Sequence, residues 1–197
     1  MAIVAPLTDE QIDPALRAQI EFFKGPLGLI PNSVRTMARK PHLAQAFTEL
    51  NKAVMRCEGE VTPEFKRLIG YVTSQVSGCC YCQAHTILGA ERFGSTEKRL
   101  NSVFNYQNSE HFSEREKAAL DFALAAAKVP NEVTETHAAN LHQFWSDDDI
   151  VEIMGVIALF GYLNRWNDSM GSALEDLPIQ IGEKHLKNAG WHTGKHG

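Results

Sequence analysis

The chain has 197 residues, of which 44% are hydrophobic and 22% are charged, and its formal net charge at neutral pH is -5. This acidic balance provides no basic surface for a phosphate backbone, which argues against a nucleic-acid-binding role. No run approaches the roughly 18 consecutive apolar residues of a membrane span, and residues 1–10 lack the basic start and apolar stretch of a signal peptide. We therefore expect a cytoplasmic protein with no membrane segment.

Helix signals follow one another along the chain, and strand signals are nearly absent. Thr62-Pro63-Glu64 combines an N-cap residue, a proline at the first helical position and an acid in the first turn. Ser113 and Glu116 form a capping box. Gly78 and Gly94 mark the start and the end of another predicted helix. The predicted helices cover residues 14–23, 41 to about 57, 63–76, 79–93, 114 to about 129, about 133–144 and 150 to about 163, with a short one opening at 31–32.

These elements predict an all-α fold, a single-domain helical bundle over residues 1–197. Its core should run from about residue 20 to 170, with a polar C-terminal tail from about 177 to 197. Ser146-Asp147-Asp148-Asp149 caps the helix from Ile150 to about Leu163. This helix is apolar around most of its circumference, as expected inside a bundle or an oligomer. Residues 164–168 are mostly polar and have two interpretations. They are a helix end that returns to solvent, or a cluster in which Asn164 or Arg165 reaches a subunit interface or the cysteine segment.

The segment from Ser77 to Thr86 contains three of the four cysteines. Cys79, Cys82 and His85 are spaced three residues apart and would share one face of a helix. A helix beginning near Cys79 would favour its thiolate, and His85 could assist the sulfur of Cys82. This spacing also suits a disulfide between Cys79 and Cys82. The segment thus contains what a two-cysteine redox cycle requires.

Other interpretations of the segment stay open. Cys79, Cys82 and His85 supply three zinc ligands, whereas a structural site usually needs four. The cysteines could also simply fill a core, which is how we interpret the separate Cys57 and also Cys80. The c-type haem pattern fails because Gln83 follows the second cysteine, and a thioredoxin motif would need β-α-β surroundings. The order of attack is open too, since the helix terminus favours Cys79 and the histidine favours Cys82.

The pattern Ser77-Gly78-Cys79-x-Tyr81-Cys82-x-x-His85 resembles the AhpD-like alkylhydroperoxidase branch of the carboxymuconolactone decarboxylase superfamily. Segments 29–32, 41–43 and 157–165 add weaker similarity. The resemblance implies an all-helical trimer or hexamer that reduces small hydroperoxides with electrons from a dithiol donor. It also implies that Cys82 attacks the peroxide, Cys79 resolves it and His85 relays protons, whereas the decarboxylase members lack the cysteine pair.

Two positions depart from the family pattern. The histidine expected four residues after the second cysteine is replaced by Thr86, although His85 lies on the same helix face. The glutamate expected twelve residues before the first cysteine is replaced by Arg67, which reads as a solvated surface residue or a thiolate-stabilising cation. Glu64, one turn earlier, is the candidate substitute for that acid.

The leading hypothesis is a thiol-dependent peroxidase or dithiol-disulfide oxidoreductase that uses Cys79, Cys82, His85 and Glu64 and needs no metal or haem cofactor. The alternatives are a lyase of the carboxymuconolactone decarboxylase type and a non-enzymatic helical oligomer that senses oxidants or holds a metal.

Overall fold

The computed structural model describes residues 2–56 and 58–197. The interpretation of Cys57 as a buried hydrophobic residue lies outside these residues. The described residues contain no β-strand, which confirms the all-α fold class. The helices are α1 Pro14–Ile20, α2 Lys24–Leu27, α3 Asn32–Met37, α4 Pro41–Met55, α5 Pro63–Val76, α6 Cys80–Arg92, α7 Glu97–Leu100, α8 Glu114–Ala126, α9 Glu135–His142, α10 Asp147–Met170 and α11 Asp176–Leu186, with 3₁₀ turns at Asp9–Gln11, Glu21–Phe23, Val103–Asn108, Lys187–Ala189 and Gly194–His196.

Side-chain caps begin the main helices where the sequence predicts them. The Thr62 hydroxyl accepts a hydrogen bond from the amide of Phe65, and Ser113 and Ser146 each form a capping box at the start of α8 and α10. Such caps satisfy amide groups that have no partner within the helix and contribute about 1 kcal/mol each. The helical conformation is interrupted between α5 and α6 at Gly78, whose φ of 71° is in the left-handed region that favours glycine.

The central feature is the packing of α5 against α6, with α10 lying against both. All residues of α5 from Phe65 to Ser74 are buried, including the charged Lys66 and Arg67. A helix enclosed on all sides has no solvent-facing side, so its polar residues cannot be assigned to the surface from periodicity. The expectation that Arg67 is a solvated surface residue is therefore wrong.

Several boundaries differ from the predicted ones. The chain remains helical through Gly25-Pro26 as α2 and turns only at Gly28. Helix α10 continues to Met170, so Asn164 and Asn167 lie inside it and are buried rather than returning to solvent. The C-terminal tail is also packed: α11 lies against α6, and Trp191 and His196 are buried. None of the helices in the described residues combines the length and apolar character that crossing a membrane requires.

Candidate active site

The break at Gly78 fixes the position of the first cysteine. Cys79 is the N-cap residue of α6, and its Sγ accepts a hydrogen bond from the Cys82 amide at 3.3 Å. A sulfur in this position faces the partial positive charge of a helix N-terminus. The structure thus places Cys79 where the sequence predicts, with its side chain fully buried.

Cys79 and Cys82 form a close pair of free thiols. Their Sγ atoms are 2.9 Å apart, so a disulfide requires only a small approach of the two sulfurs. Of these two thiols, Cys82 lines a cavity and Cys79 does not. This geometry distinguishes the two thiols: a substrate in the cavity meets Cys82 first.

The environment of Cys82 favours its neutral form until a base removes the proton. Burial raises the pKa of the Cys82 thiol well above its ordinary value, and the hydrogen-bonded Cys79 raises it further. In the opposite direction, the Asn167 Nδ2 donates to Cys82 Sγ at 3.3 Å, which stabilises the thiolate. The Asn167 Oδ1 accepts from the Ser172 hydroxyl, which holds the amide in this orientation.

His85 lies one helical turn after Cys82 and lines the same cavity. Its Nδ1 is 2.9 Å from the carbonyl oxygen of Tyr81, and its ring stacks on the Tyr81 ring with centroids 4.2 Å apart. Its Nε2 is 2.9 Å from Oε2 of Glu175, although the ring N–H is not well aligned with that oxygen. The imidazole is therefore held by a backbone acceptor on one side and a carboxylate on the other.

Glu175 is the N-cap residue of α11 and brings an acid to the site from a distant part of the chain. Its Oε1 accepts from the Asn32 amide and from the Tyr81 hydroxyl. Burial alone would raise the pKa of Glu175, but the nearby charge of His85 and the hydrogen bond from the Asn32 amide keep it below its ordinary value. Glu175 is thus an ionised carboxylate beside the imidazole.

Glu64, the acid that the sequence suggests for this role, lies elsewhere. Its carboxylate binds the guanidinium of Arg99, which also binds Glu116. It begins α5, about 18 Å along the helix from the cysteine end. The structure brings Cys79, Cys82 and His85 together and does not bring Glu64 to them.

The cavity beside Cys82 has mainly apolar walls. Its hydrophobic lining consists of Phe23, Pro26, Leu27, Pro31, Val34, Phe47, Met55, Phe160 and Leu163. Polar side chains enter at a few points, namely Ser33, Asn51, Arg67, Tyr81, His85, Thr86 and Asn167. A site of this kind suits a small organic molecule with an apolar body.

Sequence reasoning missed Glu175, Asn167 and the cavity position of Arg67. The Asn164–Asp168 cluster was a signal for Asn167, because a run of polar residues after an apolar helix is unusual, whereas nothing in the sequence links Glu175 to His85. Asn164 itself donates to the Ser77 hydroxyl and the Thr73 carbonyl, next to the cysteine loop. No group of three or more His, Cys, Asp or Glu residues within the described parts of the chain is arranged to hold a metal ion.

Comparison with known proteins places this site in a family. The model of the carboxymuconolactone decarboxylase family matches residues 41–125. The protein YnjA of Escherichia coli K12 is 26% identical over 166 residues, which are 84% of this chain and 88% of that protein. The crystal structure of the debrominase Bmp8 is 32% identical with a TM-score of 0.84 over 92% of this chain and 97% of that one.

Two further structures extend the comparison. A cysteine-to-alanine variant of Bmp8 in complex with 2,3,4-tribromopyrrole is 31% identical, with a TM-score of 0.88, over 93% of this chain and 97% of that one. A peroxidase-related protein from Ralstonia eutropha JMP134, described as an alkylhydroperoxidase AhpD core, shares the fold at 24% identity and a TM-score of 0.76, over 94% of this chain and 97% of that one. The chain therefore belongs to the carboxymuconolactone decarboxylase superfamily, with the AhpD-like fold.

Proposed function

We propose that this protein is a dithiol-dependent oxidoreductase that reduces small organic hydroperoxides at Cys82, with Cys79 as the resolving thiol. One observation carries the proposal: Cys82 lines an apolar cavity, and the Cys79 sulfur lies 2.9 Å behind it. A thiol that meets the substrate and a second thiol within reach of it are the two parts of a disulfide-forming cycle.

The reaction begins when Cys82 loses its proton to the pair formed by His85 and the ionised Glu175, and the thiolate attacks the distal peroxide oxygen. The O–O bond breaks, the alkoxide takes the proton from the His85 imidazolium and leaves as an alcohol, and Cys82 becomes a sulfenic acid. Cys79 then attacks the Cys82 sulfur, the S–S bond forms, and the hydroxide that leaves is protonated to water. A dithiol donor returns both thiols by exchange and is itself oxidised to a disulfide.

Glu175 and Asn167 would position this chemistry rather than react. The carboxylate of Glu175 stabilises the imidazolium that forms when His85 takes the proton. The Asn167 amide donates to the sulfur, so it favours the charged thiolate over the thiol. The proposal gives the acid role to Glu175 and a structural role to Glu64.

A second candidate reaction is reductive dehalogenation of an aromatic ring. It is favoured by the 32% identity to a debrominase over 97% of that chain, and by aromatic walls that can stack on a ring, among them Phe47 and Phe160. The balance is the same: two thiols supply two electrons, the carbon–bromine bond becomes a carbon–hydrogen bond, and hydrogen bromide and the Cys79–Cys82 disulfide are formed.

The test is turnover of cumene hydroperoxide and of a tribromopyrrole with dithiothreitol as the reductant. We expect Cys82→Ser to abolish turnover, because it removes the attacking thiol. Cys79→Ser should slow turnover, because the Cys82 sulfenic acid must then be reduced by dithiothreitol directly. Cys80→Ser is the matched control, because this neighbouring thiol does not line the cavity. Equal rates in the wild type and Cys82→Ser would end the proposal, and turnover of a lactone by the Cys79→Ser/Cys82→Ser variant would favour the lyase alternative.

The remaining parts of the proposal concern assembly and electron supply. Val151, Met154 and Tyr162 leave apolar side chains exposed on α10, which supports the homo-oligomer that the resemblance implies. The identity of the dithiol donor stays a prediction. A cytoplasmic location belongs to the same proposal, because the thiol pair needs a reducing compartment.

A further inference from the structure

Arg67 is a buried cation in the wall of the cavity that contains Cys82. It lies on α5, is only 6% exposed, and lines the cavity together with Cys82 and His85. Its guanidinium carbon lies 4.7 Å from the centre of the Phe93 ring. Gly89 on α6 leaves room for it: a Cβ added at Gly89 would be 2.9 Å from the Arg67 Nε.

This guanidinium has no hydrogen-bond acceptor among the residues that the structure describes. Its Nη1 is buried from solvent and unpartnered. Burial lowers the pKa of Arg67 to about 10, so the side chain still carries its charge at neutral pH. A buried charge is costly unless it is paired, and the stacking on Phe93 offsets only a part of that cost.

The rest of the cavity offers nothing to balance this charge. No carboxylate side chain lines it within the described parts of the chain, since Glu175 lies behind His85. The other polar groups in the wall are neutral hydroxyls and amides, together with the His85 imidazole. The cavity is therefore apolar in its walls and positive at one point.

We propose that the cavity takes its organic substrate as a monoanion, with the negative group on the Arg67 guanidinium and the reducible atom at Cys82. The part played by Cys82 rests on the proposed function; the part played by Arg67 does not. The substrate class is an apolar body with one carboxylate, or with one ionised phenol or azole. A guanidinium suits each of these, because its planar N–H groups match a carboxylate or a delocalised ring anion.

The chemistry of the site fits such a substrate. An arriving anion gives the buried cation its missing partner, so binding relieves a cost that the free protein carries. A neutral molecule of the same shape leaves Arg67 unpaired and must bind through the apolar walls alone. Selectivity for the anion then follows from the charge of one side chain.

The test is calorimetric binding of two non-reducible probes of similar shape, 4-tert-butylbenzoate and 4-tert-butylbenzamide, to the reduced full-length protein. We expect the wild type to bind the benzoate at least about tenfold more tightly, because a charged hydrogen-bonded pair contributes about 1.5 kcal/mol or more. Arg67→Met should remove this preference while keeping the affinity for the benzamide, which shows that the cavity is intact. Arg67→Lys should keep part of the preference.

Equal binding of the two probes by the wild type, undetectable binding of the benzoate, or an unchanged preference in Arg67→Met would overturn the proposal. Combining this titration with the hydroperoxide turnover of Cys82→Ser separates this proposal from the proposed function. If the benzoate preference is present and Cys82→Ser turns over hydroperoxide as fast as the wild type, the anion site stands and the thiol mechanism fails. If the preference is absent and Cys82→Ser is inactive, the thiol mechanism stands and the anion site fails.

Discussion

Lys66 and Arg67 are adjacent buried cations on α5, and their surroundings differ. Lys66 is fully buried and donates to the carbonyls of Val54 and Arg56 and to the carboxylate of Glu152. Arg67 is almost as buried, yet no described residue accepts a hydrogen bond from it, and it lines the cavity beside Cys82. A buried charge with its partners belongs to the scaffold, whereas a buried charge that lacks them is a place for a ligand.

Charge deletion at the two positions should separate these roles most strongly. We expect Lys66→Met to lower the free energy of unfolding by about 3 kcal/mol, because Glu152 and two carbonyls lose their donor. Arg67→Met should stay within about 1 kcal/mol of the wild type, since the lost contact with Phe93 is offset by relief of the buried charge. Urea denaturation monitored by circular dichroism measures both values, and equal losses would contradict the distinction.

The next comparison is between Glu175, the acid beside His85, and Glu64, the acid that the sequence suggests. We expect Glu175→Gln to lower kcat/KM for hydroperoxide by about a hundredfold, because His85 loses the carboxylate that stabilises its charged form. Glu64→Gln is the control and should leave kcat/KM unchanged, because Glu64 is bound to Arg99. A larger effect in Glu64→Gln would restore the role that the sequence suggests for it.

A change at Gly89 sharpens the assignment of Arg67 without removing its charge. The methyl group of Gly89→Ala would lie 2.9 Å from the Arg67 Nε and force the side chain to move. We expect the affinity for 4-tert-butylbenzoate to fall about fivefold in calorimetry, because the displaced guanidinium loses about 1 kcal/mol of hydrogen bonding. Gly155→Ala on α10 is the matched control, since its nearest contact is 3.8 Å away, and it should leave that affinity unchanged. An equal effect of the two changes would mean that Arg67 does not hold the anion.

The smallest expected effect concerns the ionisation of Cys82. Burial raises the pKa of this thiol, so its alkylation by iodoacetamide should still accelerate above about pH 9, beyond the range where an ordinary cysteine levels off. Asn167→Ala should slow the reaction about fivefold at neutral pH, because the thiolate loses a hydrogen bond of about 1 kcal/mol. Peptide-resolved mass spectrometry of the reduced protein measures the rate at Cys82. A plateau below about pH 8 would contradict the raised pKa.

The helix starts and the cysteine segment could be predicted from the sequence, because caps and short spacings are local. Thr62, Ser113 and Ser146 each act through an amide three residues away, and Cys79, Cys82 and His85 span two turns of one helix. This local information is enough to locate the thiol pair and its histidine.

The other parts of the site depend on packing. Glu175 reaches His85 only because α11 folds back onto α6, and 90 residues separate the two in the chain. The burial of Arg67 cannot be predicted, because enclosure of α5 on all sides leaves no trace in its periodicity. Asn167 lies in a helix that continues past the point where its apolar pattern stops.

The most direct measurement is chemical trapping of the oxidised thiol. Reduced Cys79→Ser protein is treated with one equivalent of cumene hydroperoxide in the presence of dimedone, and the adduct is located by mass spectrometry. We expect the adduct on Cys82, since this thiol lines the cavity and its resolving partner is gone, and a Cys79–Cys82 disulfide without adduct in the wild type. An adduct on Cys80 with Cys82 unmodified, or wild-type protein whose Cys79 and Cys82 stay reduced, would contradict the assignment of this pair as the reacting thiols.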